Sequence, residues 1–126
     1  MAIKPDTISH RILSFRYAIE GILSTFKLEP NFKFHVLAGT LVVILGMFFQ
    51  ITKDEWLTVV IMITIVIALE LTNTSIESVV DLLSPDYHIN AKRAKDISAG
   101  AVFISALGAA ICGAIIFLPY VFKLIF

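Results

Sequence analysis

Three long apolar stretches constrain the fold of this chain more strongly than any other feature. They run from 34 to 51, from 56 to 83 and from 97 to 118. About 20 apolar residues in a helix cross the hydrocarbon core of a bilayer, where backbone hydrogen bonds must be satisfied within the segment. At 58% hydrophobic residues and a mean hydropathy of +0.90, the chain is too apolar for a typical soluble domain. We therefore predict an all-α membrane protein whose three transmembrane helices form one domain, residues 1–126.

A helix of a different kind is expected before the first apolar stretch, at about residues 6–27. Its apolar residues recur at a spacing of i, i+4 and i+7, whereas Arg16, Glu20 and Lys27 point away from them. This pattern predicts an amphipathic helix that lies on the membrane surface. A core helix of a soluble domain is a poorer interpretation, because the chain has no other soluble part on which such a helix could pack.

The distribution of positive charge predicts the orientation in the membrane. Lysine and arginine are concentrated before the first apolar stretch and in the connection from 84 to 96, and such an excess marks the cytoplasmic side. We expect the N-terminus and the 84–96 loop to be cytoplasmic. The first residues show no early apolar core or cleavage site, so no secretory signal peptide is expected. Ten basic and ten acidic residues cancel, which gives no reason to expect nucleic acid as a partner.

The segment ALELTNTSIESVVD, residues 68–81, places several polar side chains next to the second apolar stretch. On a helix these polar side chains fall within an arc of about 100°. They are Glu70, Asn73, Thr74, Glu77 and Asp81. Ionisable residues beside a membrane segment are energetically costly, and they usually mark a functional site. A single glutamate is more often a solvated or structurally paired residue, but an aligned set favours function.

Two carboxylates at the same level of the membrane predict a cation site. Glu29, in KLEPNFKFH, precedes the first apolar stretch, and Glu77 follows the second. Magnesium bound by one or two carboxylates together with phosphate oxygens is the arrangement expected for a nucleotide. Lys95, in AKRAKD, would add positive charge for the phosphates.

The third apolar stretch is rich in small residues, which allow helices to approach closely. Ala106, Ala110 and Ala114 form one such row, and the lone Cys112 is interpreted as a small packed hydrophobe. Because three helices alone do not enclose a polar site of this size, we expect a homo-oligomer.

Two motifs carry a resemblance to a known family. ELTNTSIESVVD, residues 70–81, has a glutamate, then an asparagine after two further residues, a second glutamate and an aspartate four residues later. PDYHINAKRAKD, residues 85–96, is similar to the second motif of the same family and stands at the same distance from the first. With these motifs the chain resembles the prokaryotic diacylglycerol kinases over nearly its whole length.

The resemblance implies a homotrimeric lipid kinase of the bacterial inner (cytoplasmic) membrane, with active sites shared between subunits. Such an enzyme transfers the γ-phosphate of MgATP, its co-substrate, to the hydroxyl of a membrane lipid alcohol. By motif position, Glu70 would be the general base, and Glu29 and Glu77 would ligate Mg²⁺. The implied cofactor-binding residues are Arg11, Tyr17, Glu29, Asn73, Glu77, Asp86, Tyr87, His88, Lys95 and Asp96. The stretch between Arg11 and Tyr17 is one residue shorter than in the proteobacterial branch.

The lipid acceptor is predicted from smaller likenesses within the family. EPNFKFH and Ser98-Ala99-Gly100 resemble the branch whose acceptor is undecaprenol, whereas Asp86-Tyr87-His88 resembles the proteobacterial diacylglycerol kinases. We expect undecaprenol, with diacylglycerol as the alternative. A small oligomeric transporter is a less favoured alternative, because its carboxylate would lie near the bilayer midplane rather than at one interface. A purely structural membrane subunit would need no aligned carboxylates.

Overall fold

Four α-helices make up residues 8–126, the part of the chain that the computed structural model describes. They are α1 (Ile8–Leu28), α2 (Pro30–Phe49), α3 (Lys53–Leu83) and α4 (Ile89–Ile125). The helices α2, α3 and α4 are long and apolar enough to cross a membrane. The predicted all-α class is confirmed, as is the presence of three helices suited to span a bilayer. The predicted start of the first helix, residues 6 and 7, lies outside the described residues.

A single residue, Glu29, separates α1 from α2. Its backbone is extended, and Pro30 occupies the first turn of α2, where the missing N–H of a proline costs nothing. The Glu29 N–H donates to the Thr25 carbonyl at 2.8 Å, and the Glu29 carbonyl accepts from the Lys33 N–H at 3.2 Å. The side chain of Glu29 makes no capping hydrogen bond, so its carboxylate remains free for other contacts.

The connection between α2 and α3 is a tight turn with a capping box. Gln50 ends α2 in the left-handed region, at φ 52° and ψ 51°. The Thr52 hydroxyl accepts from the Glu55 N–H at 3.3 Å, and the Glu55 carboxylate accepts from the Thr52 N–H at 2.8 Å. These reciprocal bonds satisfy two backbone donors that the start of α3 would otherwise leave free. Consequently α2 and α3 form an antiparallel hairpin.

Helix α3 packs mainly against α4 and also contacts α2, whereas α1 contacts α2 and α3. A buried apolar cluster lies at the hairpin end of the bundle and is centred on Ile51, Val59 and Ile116. Gly46 allows the Trp56 indole to approach there, since a Cβ at Gly46 would lie 2.8 Å from the ring. Tyr120 Oη donates to Glu55 Oε2 at 2.7 Å and connects the end of α4 to the start of α3.

Large apolar side chains remain exposed along all three long helices. Examples are Leu41 on α2, Ile61 on α3 and Ile104 on α4, which is 71% exposed. A soluble monomer rarely exposes contiguous apolar surface on this scale, but lipid-facing helices do so normally. The exposed surface therefore agrees with a membrane-embedded chain.

Candidate functional site

The polar residues of α3 lie at the end of the bundle opposite the hairpin cluster, and their burial falls along the helix. Glu70 is 3% exposed and Asn73 is 8% exposed, Glu77 is half-buried, and Asp81 is exposed. Glu70 and Glu77 are seven residues apart, which is about 10 Å along the axis. The α3 polar row, as we call Glu70, Asn73, Glu77 and Asp81, thus leads from a buried carboxylate to an exposed one.

Hydrogen bonds connect the middle of the α3 polar row to α4. The Ser98 hydroxyl, buried on α4, donates to Asn73 Oδ1 at 2.6 Å. The Asn73 amide then donates from Nδ2 to Glu77 Oε1 at 3.3 Å. This chain of contacts fixes the Asn73 side chain between the two helices.

Three other ionisable groups act electrostatically on the carboxylate of Glu70. His35 of α2, Glu77 of α3 and Glu29 of the α1–α2 junction are all close enough to act on it electrostatically. No group within residues 8–126 donates a hydrogen bond to Glu70. A buried carboxylate without a donor is free to accept a proton or a hydrogen bond from a substrate hydroxyl.

A cavity of about 580 Å³ lies between α1 and α3, next to the α3 polar row. Tyr17 and Glu29, both predicted site residues, line it. Hydroxyl groups contribute most of the remaining polar lining, from Ser24, Thr25, Thr74, Ser75 and Ser78. Asn73 and Glu77 are not among the lining residues, and the Asn73 side chain bonds to Ser98 of α4 instead.

Two of the three basic residues of the 84–96 region, Lys92 and Lys95, form ion pairs near the exposed end of the row. Lys95 Nζ lies 2.9 Å from Asp81 Oδ1, which joins α4 to α3, and Lys92 pairs with Asp96 one turn away on α4. The hydrogen bond to Asp81 raises the pKa of the Lys95 amine, which precedes the apolar part of α4. Lys95 therefore carries a positive charge at neutral pH beside the carboxylate row.

Four of the predicted site residues do not join this arrangement within the described part of one chain. Arg11 is exposed on α1, and no ion pair or hydrogen bond joins its side chain to residues 8–126. Asp86 and Tyr87 are exposed in the α3–α4 loop, Tyr87 at 79%. The His88 ring caps α4, since its Nδ1 accepts from the Asn90 N–H at 3.2 Å.

The donor set at this end of the bundle suits a hard cation that takes part of its shell from a substrate. Glu29 and Glu77 supply carboxylate oxygens, the ligand type that magnesium prefers. Residues 8–126 contain no cluster of three histidine, cysteine or acidic side chains able to enclose a metal ion. A magnesium ion there would therefore need phosphate oxygens and water to complete its coordination shell.

Sequence reasoning missed two residues of the site. It treated Ser98 as a marker of one family branch, although Ser98 lies one turn after Lys95 and thus on the same face of α4. It likewise used His35 of EPNFKFH only as a marker of that branch, although His35 lies close enough to act electrostatically on Glu70. The i, i+3 spacing from Lys95 was a usable signal for Ser98. For His35 only the short distance from Glu29 along the chain was available.

Comparison with known proteins gives a consistent family match. The model of the family described as prokaryotic diacylglycerol kinase matches residues 16–117, a range that begins after Arg11. An undecaprenol kinase of Bacillus subtilis (strain 168) is 42% identical over 106 residues, covering 84% of this chain and 86% of the relative. A diacylglycerol kinase of Synechocystis sp. is 38% identical over 109 residues, covering 86% of this chain and 62% of the relative. A diacylglycerol kinase of Haemophilus influenzae is 33% identical over 102 residues, covering 81% and 86% respectively.

Proposed function

The chain belongs to the prokaryotic diacylglycerol kinase family and is a membrane lipid kinase, and we propose that it transfers the γ-phosphate of MgATP to undecaprenol. The observation that carries this proposal is the α3 polar row. Its buried carboxylate, Glu70, lies at the end of an apolar stretch from which a lipid can approach. Its outermost member, Asp81, pairs with Lys95 of a basic segment from which a nucleotide can approach.

Glu70 is the proposed general base. Phosphoryl transfer requires the attacking hydroxyl to lie in line with the phosphate, and little covalent chemistry falls to the protein. The lipid hydroxyl would donate its proton to Glu70, whose carboxylate is buried and receives no hydrogen bond from residues 8–126. The hydroxyl oxygen then attacks the γ-phosphorus, and ADP leaves.

Glu29 and Glu77 are the proposed magnesium ligands. Bound magnesium would neutralise charge on the phosphates in the transition state. Glu29 is suited to this role because its side chain makes no capping bond, and Glu77 because Asn73 already holds its Oε1. No other side chain of residues 8–126 donates to the second oxygen of Glu77, which leaves it available to a cation.

The proposed nucleotide contacts come from two places. Lys95 and Asp96 lie in the first part of α4, where Lys95 pairs with Asp81 and Asp96 pairs with Lys92. A bound triphosphate would compete with the two carboxylates for the two lysines. Tyr17 lines the cavity between α1 and α3. The exposed residues Arg11, Asp86, Tyr87 and His88 would reach the nucleotide only through movement of their segments or from a neighbouring subunit.

A homotrimer with shared active sites is the proposed assembly. A mostly apolar cavity of about 410 Å³ between α2, α3 and α4 stays open in the single chain, and small residues of α4, including Ala106, Ala110 and Gly113, line it. Small residues permit the close helix contacts on which membrane association depends. We further propose that α1 is amphipathic and lies on the cytoplasmic surface of the inner membrane, with the N-terminus and the 84–96 loop on that side.

Undecaprenol is preferred as the acceptor over diacylglycerol. The relative at 42% identity carries the name undecaprenol kinase, and EPNFKFH with Ser98-Ala99-Gly100 resembles that branch. Diacylglycerol is the second candidate, since the relatives at 38% and 33% identity carry the name diacylglycerol kinase and Asp86-Tyr87-His88 resembles the proteobacterial diacylglycerol kinases.

Reconstituted protein offers a direct test. ATP consumption is measured in bilayers that contain undecaprenol or diacylglycerol at equal mole fraction, with phospholipid alone as the control. We expect a larger kcat/KM with undecaprenol than with diacylglycerol. A larger value with diacylglycerol would reverse the choice of acceptor. ATP consumption that ignores both alcohols would contradict lipid kinase activity itself.

A further inference from the structure

Ser98 of α4 makes a contact that the proposed chemistry does not yet use. Its hydroxyl lies 2.6 Å from Asn73 Oδ1, although the two residues are 25 positions apart in the chain. Both side chains are 8% exposed, so water cannot easily replace either partner. The same hydroxyl lies 2.9 Å from the Lys95 carbonyl of its own helix. A serine has only one hydrogen to donate, and the shorter of the two contacts is the one to Asn73.

This contact determines which end of the Asn73 amide faces Glu77. The amide has an accepting oxygen and a donating NH₂ group at opposite sides. Because the Ser98 hydroxyl donates to the oxygen, the NH₂ group points to Glu77 Oε1, 3.3 Å away. Without the hydroxyl, Oδ1 would be buried without this donor, and a flipped amide would turn Oδ1 towards the Glu77 carboxylate. Two oxygens in that position repel each other rather than bond.

We propose that Ser98 is a positioning residue for phosphoryl transfer, since it orients the Asn73 amide so that the Glu77 carboxylate is held ready to bind a divalent cation. The inference rests on the proposed function, in which Glu77 ligates magnesium. Ser98 touches neither substrate nor metal in this scheme. It acts through Asn73, and it couples α4, which carries Lys95 and Asp96, to the carboxylates of α3.

The chain offers a matched control on the same helix. Ser105 lies two turns further along α4, is also 8% exposed, and donates only to the Val102 carbonyl of its own helix at 2.8 Å. Ser105→Ala therefore removes a hydroxyl of equal burial without touching the α3 polar row. Ser98→Thr keeps a hydroxyl and is the rescue variant. Ser98→Cys keeps the volume but replaces a strong donor by a weak one.

Cation binding is measured independently of turnover, on the assembled full-length protein, by electron paramagnetic resonance of Mn²⁺ with a non-hydrolysable ATP analogue. Losing one buried hydrogen bond should raise the Mn²⁺ concentration for half-saturation about fivefold in Ser98→Ala and Ser98→Cys. Ser98→Thr should lie within about twofold of wild type, as should Ser105→Ala. In kinetic assays, the magnesium requirement should rise by more than kcat at saturating magnesium falls.

Several outcomes would overturn the inference. Wild-type Mn²⁺ binding in Ser98→Cys would do so, even if Ser98→Ala failed to assemble. Equal shifts in Ser98→Ala and Ser105→Ala would mean that only packing of α4 had been disturbed, and that also refutes it. Glu77→Gln tests the premise separately. If Glu77→Gln binds Mn²⁺ as wild type does, the proposed metal site is wrong, and the role of Ser98 is refuted with it.

Discussion

Glu70→Gln should separate catalysis from stability. Glutamine has nearly the same shape as glutamate but cannot accept the proton of the lipid hydroxyl. General-base removal typically costs at least about 100-fold in turnover, or about 2.7 kcal/mol in the barrier. Glu70 is 3% exposed and no group of residues 8–126 donates to it, so the substitution removes a buried charge and breaks no hydrogen bond there. Assembly and thermal stability should stay unchanged or improve.

The contrasting variant removes a hydrogen bond to a second carboxylate on the same helix. Glu55 accepts hydrogen bonds from Tyr120 Oη and the Thr52 N–H at the opposite end of the bundle. Tyr120→Phe removes the first of these bonds, so it should lower the melting temperature while kcat remains near that of wild type. Turnover with undecaprenol, oligomer size and thermal unfolding are measured on each sample. If Glu70→Gln turned over within a few-fold of wild type, or lost activity only in proportion to lost assembly, the base assignment would be wrong.

Further variants test the metal site, the α3 polar row and the packing of the hairpin. Glu29→Gln and Glu77→Gln should each raise the magnesium concentration for half-maximal activity, and the double variant should be less than additive, as two ligands of one ion are; titrations like that of wild type would disprove the site. Asn73→Leu should lower turnover more than ATP affinity, measured by equilibrium binding; a parallel loss of turnover, affinity and oligomer would indicate a structural role. Gly46→Ala should destabilise the hairpin by about 1 kcal/mol. The added methyl would crowd the Trp56 ring at a cost of about 2 kcal/mol, whereas the gain in helix propensity is about 1 kcal/mol. Gly39→Ala, whose Cβ would meet Ile63 at an ordinary 3.4 Å, is the control in the same thermal unfolding assay.

The apolar stretches and the alignment of the α3 polar row could be predicted from the sequence because both depend on helical periodicity alone. Contacts between helices could not be predicted in this way. The bonds from Ser98 to Asn73 and from Tyr120 to Glu55 join residues 25 and 65 positions apart. No local pattern encodes which face of one helix meets another.

The helix ends also differ from the apolar stretches, for a physical reason. The apolar stretch predicted at 97–118 lies within α4, which runs from Ile89 to Ile125. Hydropathy reports the part of a helix that can lie in hydrocarbon, whereas caps determine where the helix begins. The ring of His88 supplies such a cap, well before the apolar residues start.

From the one-residue junction at Glu29 we expect the proposed magnesium site to respond to the membrane. The 21 residues of α1 join α2 in the chain through Glu29 alone and also pack on α2 and α3, so a change in the tilt of α1 should move that residue. In the proposed arrangement, in which α1 lies on the bilayer surface, a change in bilayer thickness or curvature should move the Glu29 carboxylate before it moves Glu70. Lipid composition should then alter the magnesium requirement more than the maximal rate. Equal magnesium titrations in thin and thick bilayers would argue against this coupling.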